Sequence, residues 1–422
     1  MKTLASRFAT FDRPSKLLMI NQFGINVGFY MLMPYLAGYL AGPLGLATWA
    51  IGLVLGVRNF SQQGMFLLGG TLADRFGCKP LIVAGCLLRT GGFALLAVAD
   101  TLPALVVASA ATGFAGALFN PAVRAYLAAD AGERRVEAFA LFNTFYQGGI
   151  LLGPLFGLAL TALDFRVTCL VGAVVFAALT VLQLRSLPRQ DVAASTARGS
   201  VLSQWRTVLG NRPFLLFGLA MIGSYVLSFQ VYLALPLQVR AVAGSGTVGT
   251  ALVTSLFVVS GAVAVFGQLR VTQWFGRRYG PARSIVAGMA LLSGAFVPLL
   301  LVPDGDVLGP VPAVAAVLLS AALLALGTVA VFPFEMDTIV RLSGERLVAT
   351  HYGCYNTVVG VGIMLGNLFT GTIFDLTRQA GVPQLVWAGL ILIGAGCVLA
   401  LAGLERSWKL AAAPDANPAA TN

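Results

Sequence analysis

The chain has 422 residues, 58% of them hydrophobic and 10% charged, with 27 lysines and arginines against 16 aspartates and glutamates. Soluble domains carry about 25% charged residues, so a mean hydropathy of +0.86 excludes a soluble globular domain and leaves a membrane protein. The basic excess does not signal nucleic acid, because the cations cluster in short loops between apolar runs.

The first apolar run, from Leu17 to about Gly42, is too long for a signal-peptide core and reads as a retained span. A bilayer core takes about 20 apolar residues per helix. On that measure spans 1 to 6 fall near 17–41, 47–72, 80–99, 103–126, 138–163 and 167–187. Spans 7 to 12 fall near 213–236, 248–270, 284–303, 309–333, 348–374 and 383–404. The expected fold is an all-α membrane protein with twelve transmembrane helices in two pseudo-twofold six-helix bundles. The expected divisions are a first bundle at 1–187, a linker at 188–212, a second bundle at 213–405 and a tail at 406–422. Within the linker, VLSQWRTVL fits a short amphipathic helix, and the closing AAAPDANPAATN has the composition of a disordered segment.

With the N-terminus inside, 22 of the 27 basic residues lie on the cytoplasmic side; Arg166, Arg240 and Arg378 lie outside, and Arg58 and Arg89 fall within spans. This split follows the positive-inside rule and places both termini in the cytoplasm.

The chain repeats itself. FNTFYQGGILLGPLF (142–156) returns as YNTVVGVGIMLGNLF (355–369), and IVAGCLLRTGGF (82–93) as IVAGMALLSGAF (285–296). Parallel repeats of six spans are a transporter architecture with the substrate held between the halves. Arg89 corresponds to Leu292 in the second copy, so the fold itself does not require arginine there.

Polar side chains form stripes within several spans. Span 1 aligns Gln22, Asn26, Tyr30 and Met33. In span 2, Arg58 stands roughly 24 Å along the helix from Asp74, hence near mid-membrane, with Gln62 one turn on. Span 5 offers Asn143, Tyr146 and Gln147; span 7 Tyr225 and Tyr232; span 11 Tyr355 and Asn356. An arginine at mid-span costs about 2.5–3.5 kcal/mol on insertion scales, and a water-filled cavity reduces that cost. These residues, with Arg89, are the candidate substrate cavity. The alternative is that both arginines bond carbonyls or asparagines and only hold the bundle together. No acidic residue lies deep in an expected span, which leaves a substrate carboxylate as the partner and favours anionic or zwitterionic cargo.

Gly70-x-x-x-Asp74-Arg75-x-Gly77-x-Lys79 resembles the signature between spans 2 and 3 of the major facilitator superfamily. The resemblance implies a conformational lock, with Asp74 accepting from a helix N-terminus or pairing with Arg124 or Arg134. The second copy, WFGRRYG (274–280), lacks the acid, so the lock is expected on one side only. Gly149-x-x-x-Gly153-Pro154-x-x-Gly157 resembles the antiporter motif of the same superfamily and favours export. RNFSQQG, ADRFG-KP and DFRVTCLVGAV extend the likeness, over most of the chain, to its drug:proton antiporters. Two departures stand out: span 1 has Asn21, Gln22 and Asn26 where many such antiporters carry an acid, and Ser109 replaces the usual span 4 arginine.

Five cysteines without a CxxC pair read as small hydrophobes, and a single histidine argues against zinc or haem; neither metal nor cofactor is expected. The candidates for proton coupling are Glu335, Asp337, Glu137, Asp74 and His351, all expected near the cytoplasmic face, with Glu335 foremost because it ends span 10 after FPF. The expected activity is proton-coupled efflux of amphipathic drug-like molecules by a monomer in the inner membrane. A dedicated exporter of one anionic metabolite or siderophore and a transporter-derived sensor are the alternatives. An enzyme is not expected, since no acid, base and metal constellation converges.

Overall fold

The computed structural model describes residues 4–41, 43–46, 48–161, 163–188, 200–244, 247–302 and 309–411. The start of the expected linker and the alanine- and asparagine-rich tail beyond residue 411 lie outside the described residues. All the regular structure among the described residues is helical.

The first half holds α1 (Leu4–Ala9), α2 (Arg13–Tyr30), α3 (Met33–Ala41), α4 (Thr48–Gln63), α5 (Phe66–Phe76), α6 (Cys78–Val98), α7 (Leu102–Ala131), α8 (Arg135–Thr161) and α9 (Phe165–Ser186). A short α10 (Val201–Gly210) precedes the second half. There follow α11 (Arg212–Ser228), α12 (Ala234–Ala243), α13 (Thr247–Gly294), α14 (Val297–Leu301), α15 (Pro310–Ser343), α16 (Val348–Gln379) and α17 (Gln384–Ala411). Nine helical stretches among the described residues are long and apolar enough to cross a membrane. Two of these, Leu102–Thr161 and Ala251–Leu301, each contain two of the expected spans, and expected span 2 is not among the nine.

Four expected spans are broken, span 9 among them, at Ala295 and Phe296 between α13 and α14. Span 1 divides after Tyr30 and span 7 after Ser228, where a 3-10 turn intervenes at Phe229–Val231. The cause is repeated: Tyr30 stands four residues before Pro34, and Tyr232 four before Pro236. A proline lacks the N–H that would bond the carbonyl one turn back. Span 2 divides at Gly64 and Met65. Between α5 and α6 the backbone turns at Gly77, with φ 89°, and the corresponding turn inside α13 falls at Gly280, with φ 74°. Both values lie where a side chain is strained and glycine is not.

Within the first half α6 packs on α7 and α9, and α2 packs on α8; within the second half α13 packs on α15 and α17. The halves meet unevenly: α16 packs closely along α5 and far less along α4, and α8 packs on α13 and α15. The bundle is therefore drawn together at the end carrying Arg75, Arg135 and Glu345, called the basic end below. Association in lipid depends on close packing and hydrogen bonds rather than on expelling water. The glycine stripe of α8 supplies such packing. A Cβ on Gly149 would stand 2.6 Å from the Asn26 Cβ, one on Gly153 2.7 Å from the Tyr30 Cβ, and one on Gly157 2.0 Å from the Met31 carbonyl oxygen. Next to Gly153, the Pro154 carbonyl accepts from the Tyr35 hydroxyl at 2.8 Å.

Candidate functional site

Exposure falls steadily along a polar column between the halves. Tyr232 is exposed, Tyr30, Arg58, Gln62, Tyr146, Gln147 and Tyr225 are half-buried, and Asn143, Tyr355 and Asn356 are buried. Tyr30 lies within electrostatic range of Tyr146, Tyr232 and Arg58.

Arg58 donates from Nη2 to the Asn59 side chain at 2.5 Å, and its guanidinium lies 5.2 Å from the centre of the Phe29 ring. Arg89 lies over the same ring at 4.9 Å and over Phe176 at 5.4 Å, and donates to the Thr112 carbonyl at 3.4 Å. Ring faces offset part of the cost of keeping these cations from water. The two arginines differ in place. Arg58 borders the column, whereas Arg89 is only 6% exposed and packed against Gly116, where a Cβ would meet its Nη2 at 2.9 Å. Arg89, expected in the cavity, is thus held inside the first bundle. Asn26, also expected in the cavity, joins α2 to α8: its side chain donates to the Tyr146 carbonyl at 2.8 Å and accepts from Gln22 at 3.1 Å.

The buried end of the column contains a group the sequence reading misplaced. Arg124, assigned above to the lock, donates from Nη1 to the Asn356 side chain at 2.9 Å, across the two halves. Glu335 was expected at a helix end. Instead α15 continues to Ser343, and Glu335 is 2% exposed, accepting from the hydroxyls of Tyr225 at 2.9 Å and Tyr355 at 2.5 Å. No acid was expected at this depth, so the chamber holds a carboxyl as well as guanidinium groups. The overlooked signal is a further repeat. Pro121 and Pro333 each stand eleven residues before a Gly-Glu-Arg triplet, at 132–134 and 344–346. Arg124 follows the first proline by three residues and Glu335 follows the second by two, so the halves present opposite charges from nearly equivalent positions.

Below the column the halves are bonded in tiers. Asn143 of α8 donates to Gln268 of α13 at 2.6 Å, and Gln268 donates onward to the Val329 carbonyl of α15 at 2.8 Å. Nearer the basic end, Asp74 accepts from the backbone N–H groups of Ala349 at 3.1 Å and Thr350 at 2.7 Å and from the Thr350 hydroxyl at 2.6 Å. The first turn of α16 leaves those N–H groups unsatisfied, and a carboxylate there also meets the positive end of the helix dipole. With its acceptor positions filled this way, Asp74 makes no ion pair with Arg124 or Arg134 among the described residues. Gly70 permits the approach: a Cβ there would stand 2.1 Å from the Ala349 carbonyl oxygen. Arg75 is exposed, and Lys79 donates to the Leu184 carbonyl at 3.0 Å, tying α6 to α9 within its own half.

The acid that WFGRRYG lacks has a counterpart elsewhere in the second half, at Asp337. It pairs with Arg135 of α8 at 3.1 Å and with Arg341 at 2.7 Å, while Arg135 also pairs with Glu345 at 2.7 Å. The second acid stands on α15 rather than in the turn of α13, which is why the WFGRRYG comparison did not find it. The linker helix α10 adds a further tie: the Trp205 indole N–H donates to the Thr71 hydroxyl of α5 at 2.8 Å.

The remaining proton candidates stand apart from the column. Glu137 pairs with Arg7 at 3.4 Å and Arg134 at 2.9 Å. His351 is buried beside the ring of Phe214, its Nδ1 2.8 Å from the Leu347 carbonyl and its Nε2 3.3 Å from the Asn211 amide nitrogen. That geometry suits a neutral ring with its proton on Nδ1. No group of three or more histidine, cysteine or acidic side chains converges as a metal site among the described residues. A cavity of about 630 Å³ lies off the column, between α11, α16 and α17, with an apolar lining that includes Leu219, Val226, Val361 and Phe369.

Residues 18–367 match the family described as Major Facilitator Superfamily. The chain is 60% identical over 399 residues to an uncharacterized MFS-type transporter of Mycobacterium tuberculosis (strain ATCC 25618 / H37Rv), covering 94% of each. It is 28% identical over 396 residues to the multidrug resistance protein MdtH of Escherichia coli (strain SE11), again covering 94% of each. Among solved structures it resembles the Escherichia coli fucose:proton symporter FucP, with a TM-score of 0.72 at 14% identity, covering 93% of this chain and 98% of that one. It also resembles the human organic anion transporter MFSD10 (TETRAN), with a TM-score of 0.66 at 15% identity, covering 92% and 99%. The helices, the paired halves and the match over most of the chain agree: the protein is a multi-pass membrane transporter of the major facilitator superfamily.

Proposed function

We propose that this transporter exports small amphipathic, drug-like molecules, favouring anionic and zwitterionic ones, by alternating access coupled to proton entry. The single observation that carries the reading is the polar column: arginine and tyrosine side chains in mid-bundle, open at one end and closed at the basic end by Asn143–Gln268, Asp74–Thr350 and Arg135–Asp337. Breaking those tiers while the halves close at the other end would turn the column to the opposite side of the membrane. With both termini in the cytoplasm, the basic end faces inward and the column opens outward.

Arg58 and Arg124 supply positive charge without a carboxylate partner among the described residues, which suits an anionic group on the cargo. Tyrosine rings supply broad apolar contact that tolerates varied scaffolds. Glu335 is the proton carrier in this reading: it stands in the column, has hydroxyl partners and forms no ion pair among the described residues. The likeness to MdtH supports multidrug cargo, and the glycine stripe at Gly149, Gly153 and Gly157 supports export.

The test is uptake into everted membrane vesicles of a panel of unrelated anions, zwitterions and cations, with and without a proton uncoupler. Uncoupler-sensitive uptake of several unrelated acids supports the reading. Uptake of one compound alone indicates a dedicated exporter, and no flux under any gradient indicates a sensor.

A further inference from the structure

We propose that Arg124 and Glu335 form a two-ended site for zwitterionic cargo, Arg124 receiving a carboxylate and Glu335 an ammonium group. This rests on the transporter reading above and specifies the charge pattern of the cargo within it.

The two groups come from opposite halves, lie within electrostatic range of each other, and form no salt bridge. Neighbouring side chains of α16 hold them apart: Asn356 takes the Arg124 Nη1, and Tyr355, one residue earlier, donates to the Glu335 Oε1. The Tyr225 hydroxyl donates to that same Oε1, which leaves Oε2 with no hydrogen bond among the described residues. Arg124 likewise makes no hydrogen bond from Nε or Nη2 among them. A cation and an anion so placed keep unused hydrogen-bonding capacity in a setting of low dielectric, where a bridging partner of complementary charge gains most. A molecule bearing both charges satisfies both ends; one bearing a single charge satisfies one. The half-buried Tyr225 ring, braced edge-on against the buried Tyr355 ring with centroids 6.1 Å apart, offers an aromatic face beside the charges.

The experiment uses the purified full-length protein in lipid nanodiscs and three matched fluorescent probes. Nε-dansyl-lysine is a zwitterion, its methyl ester a cation and its Nα-acetyl derivative an anion. Binding is read from dansyl emission, without any gradient. A charge-assisted hydrogen bond contributes about 1.5–3 kcal/mol, so each charged end is worth roughly tenfold or more in affinity. The zwitterion is expected to bind about tenfold tighter than either derivative. Arg124→Gln is expected to weaken the zwitterion and the acetyl probe by about tenfold and leave the ester within about twofold. Glu335→Gln should do the reverse, and Arg124→Lys should restore binding of the acetyl probe. Equal binding of all three probes, no binding of the zwitterion, or equal losses of ester and acetyl probe in Arg124→Gln would overturn the site. Charge-selective binding without vesicle transport would keep this site and refute the transport reading; uncoupler-sensitive transport without charge selectivity would do the opposite.

Discussion

Replacing Gly70 with alanine should open the basic end. The new Cβ would stand 2.1 Å from the Ala349 carbonyl oxygen and 2.7 Å from its carbon, both backbone atoms that no rotamer change can move, whereas ordinary contact begins at 3.4 Å. The α5 and α16 backbones must therefore separate by more than an ångström at this point. Asp74 is one turn further along α5, and its bonds to the Thr350 N–H at 2.7 Å and the Thr350 hydroxyl at 2.6 Å would stretch beyond hydrogen-bonding range. Hydrogen bonds to a charged group contribute about 1.5–3 kcal/mol each. Losing two removes about 3 kcal/mol or more from the closed state, roughly a hundredfold shift between end states. Spin labels on cysteines at Arg75 and Arg346, exposed on opposite halves, report the change by pulsed electron resonance in a background free of the native cysteines. The wild type should give one short-distance population and Gly70→Ala a dominant longer one. Gly56→Ala, where the new Cβ meets nothing within 4 Å, should behave as wild type. Identical distributions in a folded Gly70→Ala protein would refute the argument.

Asn143→Ala leaves the buried Gln268 Oε1 without its donor and should weaken the closed state by about 1–3 kcal/mol, read with the same labels. Gly157→Ala drives a Cβ to 2.0 Å from the Met31 carbonyl oxygen inside the first bundle, so it should lower the melting temperature rather than shift the label distance. Trp205→Phe removes the linker's bond to Thr71, worth about 1 kcal/mol, and should raise the rate of tryptic cleavage at the exposed Arg206 several-fold. Replacing Glu335 with glutamine should abolish the uncoupler-sensitive part of vesicle uptake; full retention of that part would remove Glu335 from the coupling step.

What the sequence disclosed was set by period and spacing. Runs of apolar residues fix where helices cross a bilayer, and a duplicated gene leaves its copies in register, so the transmembrane architecture was legible from lengths and echoes alone. The glycines were legible for a similar reason: Gly70, Gly149, Gly153 and Gly157 each occupy a place where another backbone leaves no room for a Cβ, and the spacing shows which face that is. Depth was harder to read. Hydropathy ended span 10 near Pro333, yet a proline can sit inside a helix held by its neighbours, and α15 carries Glu335 and Asp337 well inside it, before its end at Ser343. Arg124 was misplaced in the same way, because a cation near a predicted span end looks like a topology signal whether it faces solvent or an inner chamber. The partners of Asp74 were open to sequence only as a choice between a base and a helix terminus, since the terminus of α16 lies 275 residues away in the chain.

The account turns on whether cargo leaves as protons enter through the column. Purified protein reconstituted in liposomes loaded with a pH-sensitive dye, given Nε-dansyl-lysine and an imposed pH gradient, tests this directly. The account predicts substrate movement against the proton flow, with dye response and substrate flux lost together in Glu335→Gln. Substrate flux of undiminished rate with no accompanying proton movement would contradict it.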